Sequence, residues 1–295
     1  MRHGISTHVF FPQRLTSALL DSLRDAGAEA IEVFAARHHF DYTDRSAVRD
    51  VAAWFQSNDV APTLHMPLFT AEDEAIWSRH TAPTINLISM QKSTRIASMD
   101  EVKRALEAAE QVPFTSCVLH LGRRDDEWDT RAIDDSMTAI EHLKAFAGPL
   151  GVKLLLENLT NDVATPAHLA EIVRVGHFSN VGFCLDLGHL QMTEVGEEAK
   201  AEGAKSLTEE AFEVFGDRLV ELHLHDNHGQ FSGKGDEHLW PGAGSVDWAL
   251  VAKKVAAMKT QPVGMLEVAY DLGDASVVTV DRAKDAWALA SGMGR

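Results

Sequence analysis

Leu154-Leu-Leu-Glu157-Asn158, Phe183-Cys-Leu-Asp186-Leu-Gly-His189, Leu222-His223-Leu-His225-Asp226 and Gly264-Met-Leu-Glu267-Val268 share one pattern. Each is a short apolar run that closes on a carboxylate or an imidazole. Runs this short and this continuously apolar read as strands buried on both faces, the habit of parallel sheets. Parallel strands that all carry polar, chemically active side chains at their carboxyl ends describe the rim of an α/β barrel, where such folds build their sites. The four segments recur roughly 30 to 40 residues apart, the length of one strand plus one helix.

Outward from these segments, strand-like and helix-like stretches alternate along the whole chain. Strands are expected near 3–9, 29–34, 61–66, 115–121, 152–157, 181–186, 219–225 and 262–268. Helical patterns are expected at 13–26, 43–58, 94–111, 131–149, 165–176, 204–216, 246–258 and 279–291. Thr43, and Thr165 followed by Pro166, look like helix entries, and Gly27 and Gly151 like left-handed stops. Eight such units predict a single (β/α)8 barrel over residues 1–295, with its active site at the carboxyl rim. Two connections are long, 67–93 and 227–245. Long loops on that rim usually shape a substrate pocket.

Composition narrows the function classes. The net charge of −17 argues against a nucleic-acid surface. Cys117 and Cys184 both fall inside expected strands and read as small buried hydrophobes rather than a disulfide. The start, Met1-Arg-His-Gly-Ile-Ser, has no signal-peptide pattern, and no apolar run is long enough to span a bilayer. A cytoplasmic protein without a membrane partner is expected; the sequence leaves its oligomeric state open.

The candidate ligands collect at the strand ends. Side chains alternate along a strand, so His223 and His225 face the same way. His189 follows Asp186 by three positions, and a helical turn there would turn both toward one ion. Strands three and four end in His65 and His120, and Asp236 and His238 form an Asp-x-His pair in the loop after strand seven. A lone histidine in an apolar strand is usually a hydrogen-bonded core residue. Three carboxylates at one rim, with no Lys or Arg beside them in sequence, would repel one another, and a divalent cation offsets that repulsion. Glu157, Asp186, His223 and Glu267 are the expected metal ligands. His65, His120, His189, His225, Asp236 and His238 are candidates for further metal or substrate contacts. Zinc or manganese suits mixed imidazole and carboxylate ligands, with magnesium or cobalt as alternatives. His38, His39, His80, His142, His168 and His177 are expected at the surface, while His8 is a candidate for the pocket wall.

At these residues the chain resembles the xylose-isomerase-like TIM-barrel superfamily, through Glu157-Asn158, Asp186-Leu-Gly-His189, His223-Leu-His-Asp226, Gly235-Asp236-Glu-His238 and Leu266-Glu267. Resemblance to its ketohexose epimerases implies one ion on Glu157, Asp186, His223 and Glu267, with the two glutamates as the acid-base pair. Resemblance to its endonuclease IV class implies three zinc ions on a wider set: His65, His120, Glu157, Asp186, His189, His223, Asp236, His238 and Glu267. The chain departs from that second pattern at His225, where the endonucleases carry Asn. Glu72, Asp73 and Glu74 in the loop 67–93 would also face a DNA backbone unfavourably. Arg37, Arg79, Lys92, Arg123 and Arg124 are candidates for a small anion pocket, or for ordinary surface charge.

The leading expectation is a metal-dependent isomerase or epimerase of a small sugar or sugar phosphate. Glu157 and Glu267 would move a proton through an enediolate that the ion stabilises. The alternatives are an endonuclease IV-like zinc phosphodiesterase acting on abasic DNA, an inosose-dehydratase-like lyase, and a catalytically silent sugar-binding barrel.

Overall fold

The apolar runs quoted above lie side by side as inner staves of a closed barrel. The computed structural model describes residues 1–76, 82–193, 205–229, 232–269 and 278–292. The strands are β1 (Arg2–Ser6), β2 (Ala30–Phe34), β3 (Ala61–His65), β4 (Ser116–Leu119), β5 (Lys153–Glu157), β6 (Gly182–Asp186), β7 (Leu219–Leu224) and β8 (Val263–Leu266). Each pairs in parallel with the next, and β1 pairs with β8 to close the ring. The expected (β/α)8 barrel is the fold observed.

The helices are α1 (Ser17–Asp25), α2 (Arg45–Ser57), α3 (Ala71–Glu74), α4 (Lys92–Glu107), α5 (Thr130–Ala147), α6 (Pro166–Val175), α7 (Leu187–Thr193), α8 (Leu207–Phe215), α9 (Trp248–Ala257) and α10 (Val280–Ser291). Their starts follow local chemistry. Thr165 Oγ1 accepts the His168 N–H ahead of Pro166, as the sequence suggested, but α2 is capped by Asp44 rather than Thr43. Gly27 and Gly151 are left-handed, with φ of 103° and 76°. The helices' apolar faces pack on the outside of the barrel in one continuous core. At the seam, the Trp287 indole N–H reaches Gly4 O at 3.3 Å and Gly264 O at 3.0 Å, so α10 fastens β1 to β8.

Strand one is shorter than the expected 3–9. Ser6 Oγ accepts the His8 N–H at 3.2 Å and starts a 3-10 turn over Thr7–Phe10, while Thr7 Oγ1 takes the Phe34 N–H at 2.9 Å. Side-chain oxygens thus replace the ladder that would have continued the strand. His39 is a second correction. It is fully buried, its Nδ1 donating to Gln13 O at 2.5 Å, because the chain after β2 folds back against the segment that leads into α1. Both cysteines are free and buried, as expected. His80 and Arg79 lie outside the described residues, and no described helix is long and apolar enough to cross a membrane.

Candidate metal centre

Register decides where the strand ends point. Asp186 on β6 stands opposite His223 on β7, and Glu157 on β5 stands opposite Cys184 on β6. Asn158 fixes this arrangement as a two-sided clamp. Its Nδ2 donates to Asp186 O at 2.9 Å and its Oδ1 accepts the Asp186 N–H at 2.7 Å. Asp186 Oδ1 then accepts the His189 N–H at 2.7 Å, which starts α7 and leaves Oδ2 for the site. The tight Leu-Gly step is needed here: a Cβ on Gly188 would lie 2.0 Å from His225 Cε1.

The candidate ligands gather in three abutting groups. In the central group, His223 Nδ1 lies 3.1 Å from Glu267 Oε2, 3.7 Å from Glu157 Oε1 and 3.7 Å from Asp186 Oδ2. All four residues are buried, and their ligand atoms fall within 4.8 Å of one another. The second group takes the other oxygen of Glu157: His120 Nε2 at 2.9 Å and His65 Nε2 at 3.5 Å, with the two Nε2 atoms 3.1 Å apart. The third lies in the loop after β7 and on α7, where His189 Nε2 and His238 Nε2 are each 3.1 Å from Asp236 Oδ2. His225 joins it, stacked on His238 at 3.9 Å between ring centroids, with Nε2 2.9 Å from Asp186 Oδ2. Every expected ligand therefore reaches the rim.

The residues fit divalent ions on the evidence of their own hydrogen bonds. His65, His189 and His238 each hold a backbone carbonyl through Nδ1: Met66 O at 2.9 Å, Asn158 O at 3.0 Å and Glu267 O at 2.8 Å. A carbonyl only accepts, so Nδ1 carries the hydrogen and Nε2 turns its lone pair into the site. A lone pair facing a carboxylate is repulsive until a proton or a cation lies between them. In the central group, His223 Nδ1 and Glu267 Oε2 are buried without a hydrogen-bond partner. The charges around the buried imidazoles make the same demand. Burial opposes charge on His189 and His223, yet Asp186 and Asp236 beside the first, and Cys184, Glu267, Glu32 and Glu157 around the second, hold both well above the usual histidine range. Against the same burial, Asp236 pushes His238 up to about 10. Where an ion binds, it takes the place of those protons.

His238 is held in the left-handed region at φ 46°, a conformation that costs a non-glycine residue about 1–3 kcal/mol and that persists where surrounding contacts over-determine it. Much of that surround comes from Asp226. Though it closes the His223-Leu-His-Asp226 motif, it faces away from the ligand groups. Its carboxylate accepts Gly242 N–H at 2.8 Å, Val246 N–H at 3.0 Å and the Trp248 indole N–H at 2.8 Å, which pins the loop carrying Asp236 and His238.

Above the groups opens a cavity of about 510 Å³, walled by Phe34, Leu68, Ile85, Leu159 and, as its candidacy suggested, His8. Arg123 and Arg124 line its mouth. Arg37 does not: it pairs with Glu101 on α4, away from the cavity. Lys92 opens α4 and does not line it either. Glu74, one of the three acids set against a DNA backbone above, is buried and accepts the His38 N–H at 2.7 Å.

Two buried acids went unnoticed in the sequence. Glu32 on β2 and Glu221 on β7 stand inside the barrel beneath His223, with Nε2 3.3 Å from Glu32 Oε2 and 3.7 Å from Glu221 Oε1. Burial pushes the Glu221 carboxyl up to about 7. The available signal was a single carboxylate inside each of two otherwise apolar strands, Ala30-Ile-Glu-Val-Phe34 and Leu219-Val-Glu-Leu-His223.

Comparison with known proteins agrees with this architecture. The family model described as xylose isomerase-like TIM barrel matches residues 20–287. Among curated relatives, a probable endonuclease 4 of Haloquadratum walsbyi is 23% identical over 252 residues, 83% of this chain and 82% of that protein. Among solved structures, a D-tagatose 3-epimerase-like protein superposes with a TM-score of 0.71 at 20% identity, over 99% of both chains. An IOLI protein with a bound zinc atom gives 0.75 at 16% identity, also over 99% of both. At these identities the structural likeness establishes the fold.

Proposed function

The chain belongs to the xylose isomerase-like TIM-barrel family, and from that membership and the geometry we propose that it is a divalent-metal-dependent isomerase or epimerase of a small sugar or sugar phosphate. The observation that carries this reading is the central group at the floor of a small cavity, with glutamates from two separate strands, β5 and β8, meeting at one point. A divalent ion held by Glu157, Asp186, His223 and Glu267 supplies the positive charge that makes a proton beside a carbonyl acidic.

The chain's own residues do the rest. Glu267 Oε2, buried without a hydrogen-bond partner, accepts the proton from carbon. Glu157, in contact with His120 Nε2, returns one from the other side. Asn158 holds Asp186 in register so that the substrate's neighbouring oxygens meet a fixed set of ligands. Phe34, Leu68 and Ile85 keep the cavity wall apolar, which limits water at the reacting carbon. For a phosphorylated substrate, Arg123 and Arg124 at the mouth provide the charge that holds the phosphate.

Incubating the metal-loaded protein in heavy water with ketoses, aldoses and their phosphates tests the proposal. Deuterium should enter at the carbon beside the carbonyl, and no incorporation on any sugar would overturn it. A second reading has one observation in its favour: the groups flanking the central one are complete, which suits phosphodiester hydrolysis by a zinc cluster at abasic DNA. The net charge of −17 opposes it. That reading predicts salt-sensitive cleavage of an abasic duplex, which the isomerase reading does not.

A further inference from the structure

Glu32 and Glu221 belong to none of the groups that face the cavity. Both are 0% exposed, and none of their four carboxylate oxygens has a hydrogen-bond partner among the described residues. Isolated carboxylates are costly to bury, and a chain that keeps two inside its barrel spends stability on them. They come from strands that do not pair with each other, β2 and β7, and converge on one atom, the Nε2 of His223, itself buried and without a hydrogen-bond partner. The same imidazole turns Nδ1 toward Glu157, Asp186 and Glu267. His223 is therefore the one histidine of the central group, and it lacks the backbone carbonyl that orients His65, His189 and His238.

We infer that Glu32 and Glu221 form an anionic seat that receives the Nε2–H of His223, so that its Nδ1 lone pair is presented to the central ion. The inference rests on the reading of Glu157, Asp186, His223 and Glu267 as a metal site. The logic is that of the carboxylate–histidine–metal relay, in which an acid behind the ring fixes its tautomer and raises its basicity. Glu32 stands nearer and is the principal acceptor; Glu221, two residues before His223 on the same strand, shares the ring's face and its Nε2. Strand alternation places Glu221 and His223 on the same face of β7, so the seat travels with its ligand. Both are positioning residues, since neither reaches the cavity.

The test is metal affinity measured beside the stability of the metal-free protein, for Glu32→Gln and, independently, Glu221→Gln. Gln keeps the shape and removes the charge. Glu32→Gln should weaken binding of the central ion about 10–100-fold, the usual effect of losing such a partner. The metal-free melting temperature is read beside it, because a role in packing alone would lower that temperature and leave the affinity intact. The cobalt-loaded variant should also show an altered visible spectrum, which a role in packing alone would not produce. Should Glu32→Gln fail to fold, Glu221→Gln should show the same pattern with a smaller loss of affinity. Unchanged affinity in both variants would overturn the seat, as would a fall in metal-free stability with affinity intact. Loss of one whole equivalent, with the remaining ions bound as before, would make Glu32, Glu221 and His223 a cation site and equally overturn it. A wild-type protein that takes up no ion would defeat the metal centre itself, an outcome distinguishable from all of these.

Discussion

The central and the third groups both mix imidazoles with carboxylates, three carboxylates to one imidazole in the first and one to three in the second, and they differ as well in what carries them. Glu157, Asp186, His223 and Glu267 sit on or directly after strands that hydrogen-bond on both sides, and all are buried. His189 rides on a short helix, and Asp236 and His238 on the loop after β7, where about a third of the Asp236 side chain (34%) stays exposed. A site on strands is positioned by the whole barrel, whereas a site on a loop is positioned by that loop's own few hydrogen bonds. The strand-built group should therefore hold its ion tightly and the loop-built group more loosely.

The largest effects should come from the strand-built group. Asp186→Asn or Glu157→Gln should remove the central ion, weakening its binding by more than the roughly 100-fold lost with an outer hydrogen-bond partner. Elemental analysis after gel filtration measures this, and full metal content in either variant would break the assignment. Glu267→Gln retains an oxygen for the ion but cannot accept a proton. Solvent deuterium exchange should fall about 10²–10⁴-fold even in protein that keeps its metal.

The comparison sharpens in the loop. Asp236→Ala should lower the bound metal without touching the central equivalent. Graded chelation of the wild type should empty the third group first. If the two groups empty together, the loop is as rigid as the strands and the contrast fails.

A smaller effect follows from Gly188, which lies against the His225 ring where the two groups meet. Gly188→Ala forces the His225 ring off its position between Asp186 and His238. A cost of about 1–3 kcal/mol is expected from such overpacking, read as a lower midpoint in thermal or urea melts.

A further effect is in pH. His238 is raised to about 10, so the ion pair with Asp236 stabilises the metal-free fold fully below the unfolded histidine value near 6.5. That contribution is lost as pH rises through about 10. The metal-free protein should therefore lose midpoint as pH rises from about 6.5 to about 10, and metal binding at pH 7 should release protons, seen as buffer-dependent heats in calorimetry.

Much of this was legible before the structure. Leu154-Leu-Leu-Glu157 and its three counterparts gave both the parallel strands and the rim, because an apolar run that ends in a ligand states its burial and its direction together. Loop residues were harder. Asp226 closes a quoted motif but had no role assigned from the sequence, and it anchors Gly242, Val246 and Trp248, partners that only the folded loop brings near. Ser6 and Thr7 ended the first strand early through side-chain hydrogen bonds, which apolar periodicity does not register. Glu32 and Glu221 were invisible for a different reason. They converge across the barrel from strands far apart in sequence, and only closure of the ring makes them neighbours of one imidazole.

The central claim is that the strand-built group is the principal metal site. Anomalous diffraction from crystals grown with one equivalent of zinc or manganese tests it most directly. The account predicts one dominant peak bounded by Glu157, Asp186, His223 and Glu267, with weaker density elsewhere on the rim. A dominant peak between His189, Asp236 and His238, with the central position empty, would contradict it.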